Sequence, residues 1–415
     1  MGGRRAFYDV RMPTASTSPA SHLIELLPRL ISSGEIAAPC AVVDTRAFDH
    51  NAARMRERAA GLPIRVASKS LRSVAALRRA LNHEGYRGIL AYTLPEAINL
   101  VREGFTDIVV AYPSVHTAAL AQLAADEALR REITIMVDSV DHLDLAVAAA
   151  AGAGPVRVCM DIDCTLRVPG IPGFALGPRR SPIRTPEQAR DLAAEVLHRP
   201  ALRLVGVMGY EGQVASVADA ESGAAGAVKR LLRTTSMAQL VPRRADCVAA
   251  VRELADLEFV NGGGTGSLDV SAVDDSLTEL AAGSGFYTPV IFDNFSDIDH
   301  VPAAFFVCQV SRLPAPGWAT VNSGGWIASG PPGADRVPVP VYPPGLGYSA
   351  TEGAGEVQTP LHGSAARELR IGDPVWFRHA KAGEMTEHVD RMIAVDADGT
   401  HHEWDTYRRQ GWTLR

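Results

Sequence analysis

The feature that most constrains the fold is an alternation of short β-branched runs with helical runs rich in alanine, leucine and arginine, which starts near residue 40. This alternation is typical of a parallel sheet wound with helices. Eight strands are predicted: Ile64–Ser68, Gly88–Thr93, Asp107–Pro113, Ile133–Ser139, Arg157–Asp163, Leu204–Glu211, Leu257–Asn261 and Glu279–Tyr287. Eight β/α units over roughly 245 residues match a TIM (β/α)8 barrel in number and size. An open doubly wound sheet is the alternative, but it usually has fewer strands, and no GxGxxG motif follows the first one.

After residue 290 the pattern changes to short strands separated by Gly/Pro turns, as in AFFVCQVSRL, WATVNSGG, DPVWFRH and HVDRMIAVD. This change predicts a smaller all-β C-terminal domain of sandwich or barrel type. The predicted organisation is a leader and first helix over residues 1–37, the barrel over 38–288 and the β domain over 289–415. The strand near residues 39–44 is a candidate member of the β domain. Residues 330–360 are too rich in proline for a central strand and are predicted to form an irregular loop.

The composition argues against several classes of function. The 415 residues are 47% hydrophobic, which is enough for one large core and a second, smaller one. A net charge of −6 argues against a nucleic-acid or anionic-membrane surface, and no apolar run reaches the ~18 residues of a membrane span. The first twenty residues lack an apolar stretch, so they read as a flexible leader rather than an export signal. Five scattered cysteines without CxxC spacing indicate reduced thiols and a cytoplasmic protein.

Polar or reactive residues end the predicted strands, on the face where barrels of this kind carry their chemistry. They are Lys69, Thr93, Tyr112, Asp138, Asp163, Tyr210 and Asn261. Lys69 lies between the first strand and a helical run that begins at Leu71. An amine held there, partly stripped of water, can attack a carbonyl carbon. An exposed surface lysine is the alternative for any lysine taken alone.

The motif Asn261-Gly262-Gly263-Gly264-Thr265-Gly266 directly follows the seventh strand. Glycines allow backbone N–H groups to converge on one point, and Thr265 adds a hydroxyl. TIM barrels place a phosphate site at this position, so the motif predicts a phosphate-binding turn. A glycine-rich turn without a ligand is the alternative.

A lysine after the first strand and a phosphate turn after the seventh are the two anchors that pyridoxal 5'-phosphate requires. From about Ala38 to the C-terminus the sequence resembles the alanine-racemase-type (fold type III) pyridoxal-phosphate enzymes, in particular their D-threonine aldolase and D-serine dehydratase branch. The resemblance rests on PCAVVDTRAFDHN, RVASKS, MDIDCTLRVPG, GYEGQ, VNGGGTG, ELAAGSGFY and GDPVWFRHAKAGE, which occur in the same order and spacing.

The resemblance implies a role for each matching residue. Lys69 would bind the cofactor aldehyde covalently. Gly263, Gly264 and Thr265 would hold the phosphate, and Tyr287 would add its hydroxyl to that site.

Two further residues are expected beside the cofactor by the same resemblance. Tyr210 would line it, with a buried structural aromatic as the alternative. Arg167 would face the ring, and an always-charged guanidinium there would limit delocalisation into the ring. An ion pair of Arg167 with Asp161 or Asp163 is an equally weighted alternative.

One departure from the branch concerns metal binding. Its C-terminal domain carries a His-x-Asp or His-x-Cys metal pair, where this chain reads His379-Ala380-Lys381. A protonated lysine is a poor ligand, so a divalent metal is doubtful. Glu384 or His388 could supply a second ligand, but neither has the branch spacing. The resemblance therefore places His379 and Lys381 in the catalytic site, with Lys381 as a fixed positive charge or, if buried, a base.

The predicted function is that of a pyridoxal-phosphate-dependent lyase acting on a small β-hydroxy D-amino acid, with D-threonine-type cleavage to glycine and an aldehyde. A D-serine-type dehydratase and an amino-acid racemase are alternatives within the same class. A non-catalytic pyridoxal-phosphate carrier is the alternative of another class, although such carriers usually consist of the barrel alone. A phosphate-binding barrel without the cofactor would leave Lys69 unexplained. The resemblance also implies a homodimer.

Overall fold

A computed structural model describes residues 18–150, 154–168, 173 and 175–412. The chain forms two compact units. The barrel unit comprises Phe48–His300, Lys381–Met392 and the chain from Glu403 onward, and the β unit comprises the chain up to Ala47, Val301–Ala380 and Ile393–His402. These ranges differ from the predicted ones: the barrel unit runs from Phe48 to His300 rather than over 38–288, and two C-terminal segments also belong to it. Residues 1–17 of the predicted leader lie outside the described residues.

The strands and helices alternate through the first two thirds of the chain. The strands are β1 Cys40–Asp44, β2 Ile64–Ala67, β3 Tyr86–Ala91, β4 Ile108–Pro113, β5 Ile133–Val137, β6 Val156–Asp161, β7 Leu166–Arg167, β8 Ala175–Leu176, β9 Leu202–Gly209, β10 Phe259–Gly262, β11 Glu279–Ala282, β12 Ala304–Arg312, β13 Trp318–Val321, β14 Val339–Tyr342, β15 Leu346–Tyr348, β16 Thr359–Gly363, β17 Pro374–Arg378, β18 Arg391–Val395 and β19 His401–Asp405. The helices are α1 Ser21–Ser32, α2 Thr45–Arg58, α3 Val74–Leu81, α4 Leu94–Arg102, α5 Thr117–Ala125, α6 Glu127–Glu132, α7 Val140–Ala150, α8 Pro186–Leu197, α9 Gly212–Ala215, α10 Gly223–Arg252, α11 Leu268–Ser271 and α12 Ser284–Tyr287. None of the described helices is both long enough and apolar enough to span a membrane.

The predicted barrel is confirmed. Eight parallel strands close in the order β2-β3-β4-β5-β6-β9-β10-β11, and each corresponds to one of the eight predicted strands. The last strand pairs with the first through Leu280 opposite Ile64 and Ala282 opposite Val66. Between the fifth and sixth barrel strands, β7 and β8 form a separate antiparallel pair. The carboxyl ends of all eight strands therefore meet at one end of a closed barrel.

Two helices begin where a threonine side chain caps the first turn. Thr185 accepts a hydrogen bond from the Gln188 amide while the Gln188 side chain accepts one from the Thr185 amide, a complete capping box ahead of Pro186. Thr93 caps α4 in the same way through the Glu96 amide, with Pro95 in the first turn. Each cap follows a barrel strand or loop and so fixes where the chain turns back along the barrel.

A buried ion pair joins the first and last strands of the barrel. Arg65 on β2 donates two hydrogen bonds to Glu279 on β11, from Nε at 2.7 Å and from Nη2 at 2.9 Å. Both side chains are 1% exposed. Asp107 accepts from Arg65 Nη1 at 2.9 Å, and Asn261 on β10 donates to Glu279 at 2.8 Å. The charges are thus paired and hydrogen-bonded, as burial requires.

The β unit is built on one nine-stranded sheet, which confirms the predicted all-β C-terminal region. Its main order is β15-β16-β13-β12-β1-β18-β19, and β17 pairs with both β12 and β14. The first strand of the chain, β1, runs antiparallel to β12. The amphipathic helix α1 supplies Leu23, Leu27 and Leu30 to the core of this unit, where Phe305 and Trp376 also lie.

The proline-rich stretch 330–360 is less irregular than expected, because it contains β14 and β15. Pro340 lies within β14, opposite Phe377 of β17. Among the described strands β14 pairs only with β17, so a residue without an N–H is tolerated on its other side. The expectation of a loop was therefore wrong for β14 and β15, and also for Thr359 and Pro360, with which β16 begins between β15 and β13.

We expect Arg65→Met to lower the free energy of unfolding by about 3–5 kcal/mol, because the Glu279 carboxylate would stay buried without its partner. Denaturant unfolding of the purified variant measures this loss. Arg190→Met is the matched control: it breaks an exposed ion pair with Glu253 and should cost under about 1 kcal/mol. Equal losses in the two variants would contradict a structural role for the buried pair.

Candidate active site

A cavity of about 380 Å³ lies at the carboxyl ends of the barrel strands. Its lining includes residues at or just after the ends of five strands, which are Lys69 after β2, Tyr112 in β4, Tyr210 after β9, Gly263 after β10 and Gly283 after β11. Most of the remaining lining is apolar or glycine. A concave site with a few converging polar groups, on the catalytic face of a barrel, is a site for a small ligand.

Lys69 sits in a single 3-10 turn, Ser68–Ser70, at the end of β2. The turn is held by the Ser68 carbonyl, which accepts from the amides of Leu71 and Arg72 at 2.9 Å each, and by the Ser68 hydroxyl, which donates to the Leu90 carbonyl. The Lys69 side chain is exposed within the open cavity rather than stripped of water. Its Nζ donates to the Tyr112 hydroxyl at 3.3 Å.

Tyr112 and Tyr210 flank a third cavity residue, Arg180. The Arg180 guanidinium lies 5.1 Å from the centroid of the Tyr112 ring and 4.8 Å from that of Tyr210, within cation–π range of both. Burial raises the pKa of the Tyr112 hydroxyl, but the charges of Lys69 and Arg180 outweigh burial, so its pKa lies below the ordinary value. Tyr112 therefore gives up its hydroxyl proton more readily than an ordinary tyrosine.

The glycine motif forms a tight turn along the cavity. Gly263 has φ +81°, which favours glycine. A Cβ at Gly264 would lie 2.9 Å from Ala215 Cβ and 3.2 Å from the Tyr210 ring. The Thr265 hydroxyl accepts from the Gly285 amide at 3.1 Å. Over the described chain, no group accepts a hydrogen bond from the amides of Thr265 or Gly266. Two backbone donors and a bare glycine surface suit an anion.

Three predicted residues lie elsewhere. Arg167 is 59% exposed and 3.6 Å from Asp163, which is the ion pair held open as its alternative. Tyr287 is fully buried and donates to the Leu71 carbonyl at 3.4 Å. His379, in the β unit, is 2% exposed, and burial with the nearby Arg378 charge lowers its pKa to about 3. None of the three is among the described residues that line the cavity, so their predicted contacts with cofactor or substrate have no support in this geometry.

Lys381 lines the cavity together with Ala382, and its predicted catalytic role stays a prediction. The chain contains only three lysines, and two of them, Lys69 and Lys381, are cavity residues; the third is Lys229. Within the described ranges, no group of three or more His, Cys, Asp or Glu side chains is placed to hold a metal ion.

Sequence reasoning missed Arg180 as a site residue and noted Tyr112 only as a polar strand end. Arg180 follows β8 in a segment without regular structure, so neither a strand end nor a motif marked it. The scarcity of lysine was a usable signal for Lys381, because 41 residues are lysine or arginine and only three of these are lysine.

Glu96 supports the turn that carries Lys69. It is fully buried and accepts from the Tyr92 amide at 2.7 Å and from the Tyr407 hydroxyl at 2.9 Å. Burial raises the pKa of Glu96 to about 7, against its contacts with Ser68, Tyr92 and Tyr407, which lower it. Ser68, the residue before Lys69, thus lies beside a carboxyl group that titrates near neutrality.

An eight-stranded parallel barrel that brings a lysine and a glycine turn into one cavity defines a class, that of the alanine-racemase-like barrel proteins. The chain belongs to this family: the profile of the alanine racemase N-terminal domain matches residues 43–250, half of the chain. The resemblance seen in the sequence is therefore confirmed.

Comparison with individual proteins identifies similar members of this family. The chain is 26% identical over 312 residues to the 3-hydroxy-D-aspartate aldolase of Paracoccus denitrificans (strain Pd 1222), covering 72% of this chain and 75% of that protein. It is 28% identical over 252 residues to a D-threonine aldolase of Arthrobacter sp, covering 58% and 59%. The crystal structure of D-threonine aldolase from Filomicrobium marinum shares the fold, with a TM-score of 0.76, 23% identity and coverage of 91% and 96%. Aldolases are lyases, so the predicted enzyme class is confirmed.

We expect ionisation of Glu96 to lower the free energy of unfolding as pH rises from about 4.5 to about 7. In that window folded Glu96 keeps its proton while the unfolded chain has lost it, so the decline from this group is about 2–3 kcal/mol. Asp161, whose pKa burial also raises to about 7, contributes in the same direction, and His379, whose pKa is lowered to about 3, contributes in the opposite one. The slope of Glu96→Gln should therefore be more positive than that of the parent by the Glu96 contribution alone. Urea unfolding at several pH values measures both slopes.

The exposed Glu253→Gln is the control and should keep the parent slope. An unchanged slope in Glu96→Gln would mean that this carboxyl group does not titrate in the window.

Proposed function

We propose that this protein is a pyridoxal-phosphate-dependent lyase that cleaves a small β-hydroxy amino acid of D configuration into glycine and an aldehyde. The observation that carries the proposal is that Lys69, the glycine turn and Lys381 line one cavity. The names of its relatives, a 3-hydroxy-D-aspartate aldolase and a D-threonine aldolase, support the reaction type.

The residues present fit the cofactor. The Lys69 amine is the group that would bind its aldehyde, and the turn at Gly263, Gly264 and Thr265 would take the phosphate. A side chain at Gly264 would press on Ala215 and on the ring of Tyr210, which is consistent with a cradle that only glycine leaves open. When bound, pyridoxal phosphate supplies a π system that accepts the electron pair left on Cα after a bond to it breaks.

The chain's own groups would handle the protons. Cleavage of the Cα–Cβ bond requires that the substrate hydroxyl lose its proton, and Cα must later gain one to become glycine. Tyr112 Oη, with its lowered pKa, and Lys69 Nζ, 3.3 Å away, are the pair of titratable atoms suited to these transfers. Their hydrogen bond lets a proton pass between them without solvent.

Lys381 would act on the substrate through its charge. A fixed ammonium beside the β-hydroxyl or the carboxylate stabilises the oxygen anion that develops as the hydroxyl proton leaves. This is the role that the metal pair fills in the resembled branch, where this chain has a lysine.

Three other functions are distinguished by their products. A D-serine-type dehydratase would release ammonia and a keto acid rather than glycine, and a racemase would release the enantiomer. A non-catalytic carrier would bind the cofactor and yield none of these. The cytoplasmic location and the homodimer expected from the sequence stay predictions.

The test is to load the protein with pyridoxal phosphate and incubate it with D-threonine, 3-hydroxy-D-aspartate and D-serine, with and without a chelator. We expect glycine and an aldehyde from the first two substrates. Borohydride reduction followed by peptide mass spectrometry should find the cofactor on Lys69, which is unambiguous because the chain has three lysines.

Lys69→Ala should lose the absorption band of the bound cofactor and all turnover, because the remaining amines do not replace its position. Lys229→Ala is the matched control. Lys229 lies on α10 and forms a surface ion pair with Glu221, which precedes that helix. Cofactor trapped on Lys381 or Lys229 in the parent protein would refute the proposed site.

We expect Lys381→Met to lower kcat about 100-fold or more, because the charge that stabilises the developing oxyanion is lost. Lys381→Arg should recover part of the rate, since it restores the charge but not the shape of the amine. Steady-state kinetics measure both. Parent-like turnover by Lys381→Met would show that the cavity lysine takes no part in the reaction.

A further inference from the structure

We propose that Arg180 determines substrate specificity by binding a carboxylate on the substrate side chain, so that the preferred substrates are β-hydroxy D-amino acids with a second carboxylate. The inference rests on the proposed function and adds the chemistry of the substrate side chain to it.

The Arg180 guanidinium is oriented by two aromatic rings. It lies within 5.1 Å of the ring centroids of both Tyr112 and Tyr210. The Tyr112 hydroxyl also interacts with the Arg180 side chain. A guanidinium has five N–H donors, so donors remain to bind a carboxylate.

Arg180 is also close to the reacting centre. Tyr112, whose ring it contacts, has its hydroxyl 3.3 Å from Lys69 Nζ. Lys69 Nζ lies 5.9 Å and the Arg180 guanidinium 5.1 Å from the centroid of the same Tyr112 ring. A small amino acid whose nitrogen is held near Lys69 therefore brings its side chain near Arg180.

The segment that carries Arg180 is fixed in place. The neighbouring Ser181 hydroxyl donates to the Asp161 carbonyl at 2.6 Å and accepts from the Ile183 amide at 3.0 Å. Pro178 packs so closely on Gly212 that a Cβ there would lie 2.5 Å from Pro178 Cγ. A held residue recognises a ligand at a smaller entropic cost than a mobile one.

The charge of the cavity favours a dicarboxylate. The described lining residues include three cations, Lys69, Arg180 and Lys381, and neither aspartate nor glutamate. In the proposed function Lys69 is used by the cofactor and Lys381 by the hydroxyl or α-carboxylate. A second substrate carboxylate can pair with the exposed Arg180 guanidinium, whereas a neutral side chain cannot.

Arg180 forms no ion pair with an acidic side chain in the described part of the chain. No carboxylate in the described part of the chain lies within 4.0 Å of its guanidinium. Asp161 interacts with it at longer range, and burial raises the pKa of Asp161 to about 7, so near neutral pH this acid is a weak competitor. The carboxylate that pairs with Arg180 would therefore come from the ligand.

The test compares the cofactor-loaded parent with Arg180→Met, Arg180→Lys and the neighbouring surface control Arg179→Met. Calorimetry measures the dissociation constants of succinate and propionate, which differ by one carboxylate and cannot react. Steady-state kinetics give kcat/KM for 3-hydroxy-D-aspartate and D-threonine. Titration with pyridoxal phosphate measures the cofactor affinity of each variant.

We expect the parent to bind succinate more tightly than propionate and to prefer 3-hydroxy-D-aspartate. Arg180→Met should weaken succinate binding about 10- to 100-fold and affect propionate much less, as loss of a charged hydrogen-bonded pair predicts. Arg180→Lys should recover part of the difference, and Arg179→Met should match the parent.

The assignment is overturned if the parent shows no preference for succinate, or if Arg180→Met weakens both ligands equally. It is also overturned if the main effect of Arg180→Met is on cofactor affinity, because Arg180 would then serve the cofactor. Cleavage of D-threonine without any dicarboxylate preference defeats this inference alone. Succinate preference without turnover of either amino acid supports Arg180 as the carboxylate site and defeats the proposed function.

Discussion

The closure of the barrel, by pairing of β11 with β2, is the constraint on which the site depends. Lys69 follows β2 and the glycine turn follows β10, and only the closed strand order β10-β11-β2 makes these two positions near neighbours. The buried pair of Arg65 and Glu279 joins the same two strands. A ring of parallel strands has no free edge, so the positions of these strand ends are set by the whole ring rather than by local turns.

The cationic side chains of the cavity differ in their chemistry. An arginine side chain stays protonated in a protein and cannot serve as a nucleophile, whereas a lysine amine can. The chain uses arginine almost everywhere and has lysine at three positions, two of them in the cavity. The amines of Lys69 and Lys381 therefore stand out against a background of arginines that form structural ion pairs, such as Arg184 with Asp163 and Arg244 with Asp274.

The barrel was predictable because buried parallel strands appear in the sequence as short apolar runs between helical patterns. The glycine turn was predictable because its backbone requires glycine at fixed places, with a positive φ at Gly263 and no room for a side chain at Gly264. Arg167 and Tyr287 were not, because position after a strand does not say which way a side chain points: Arg167 turns to Asp163 and Tyr287 to Leu71. Arg180 depends on an irregular segment held by the bond from Ser181 to Asp161, and no local pattern encodes that contact. The sequence analysis missed strand β14. Proline is unfavourable mainly in strands with neighbours on both sides, and β14 has one partner.

The connectivity of the nine-stranded sheet has a consequence for biosynthesis. Its strand β1 is made before the barrel strands, yet its neighbours β12 and β18 begin only at Ala304 and Arg391. The strands of the barrel, from Ile64 to Ala282, are all made in between. A nascent chain can therefore complete the barrel strands while β1 still lacks both neighbours, and the ribosome must reach β18 before that early strand is paired on both sides.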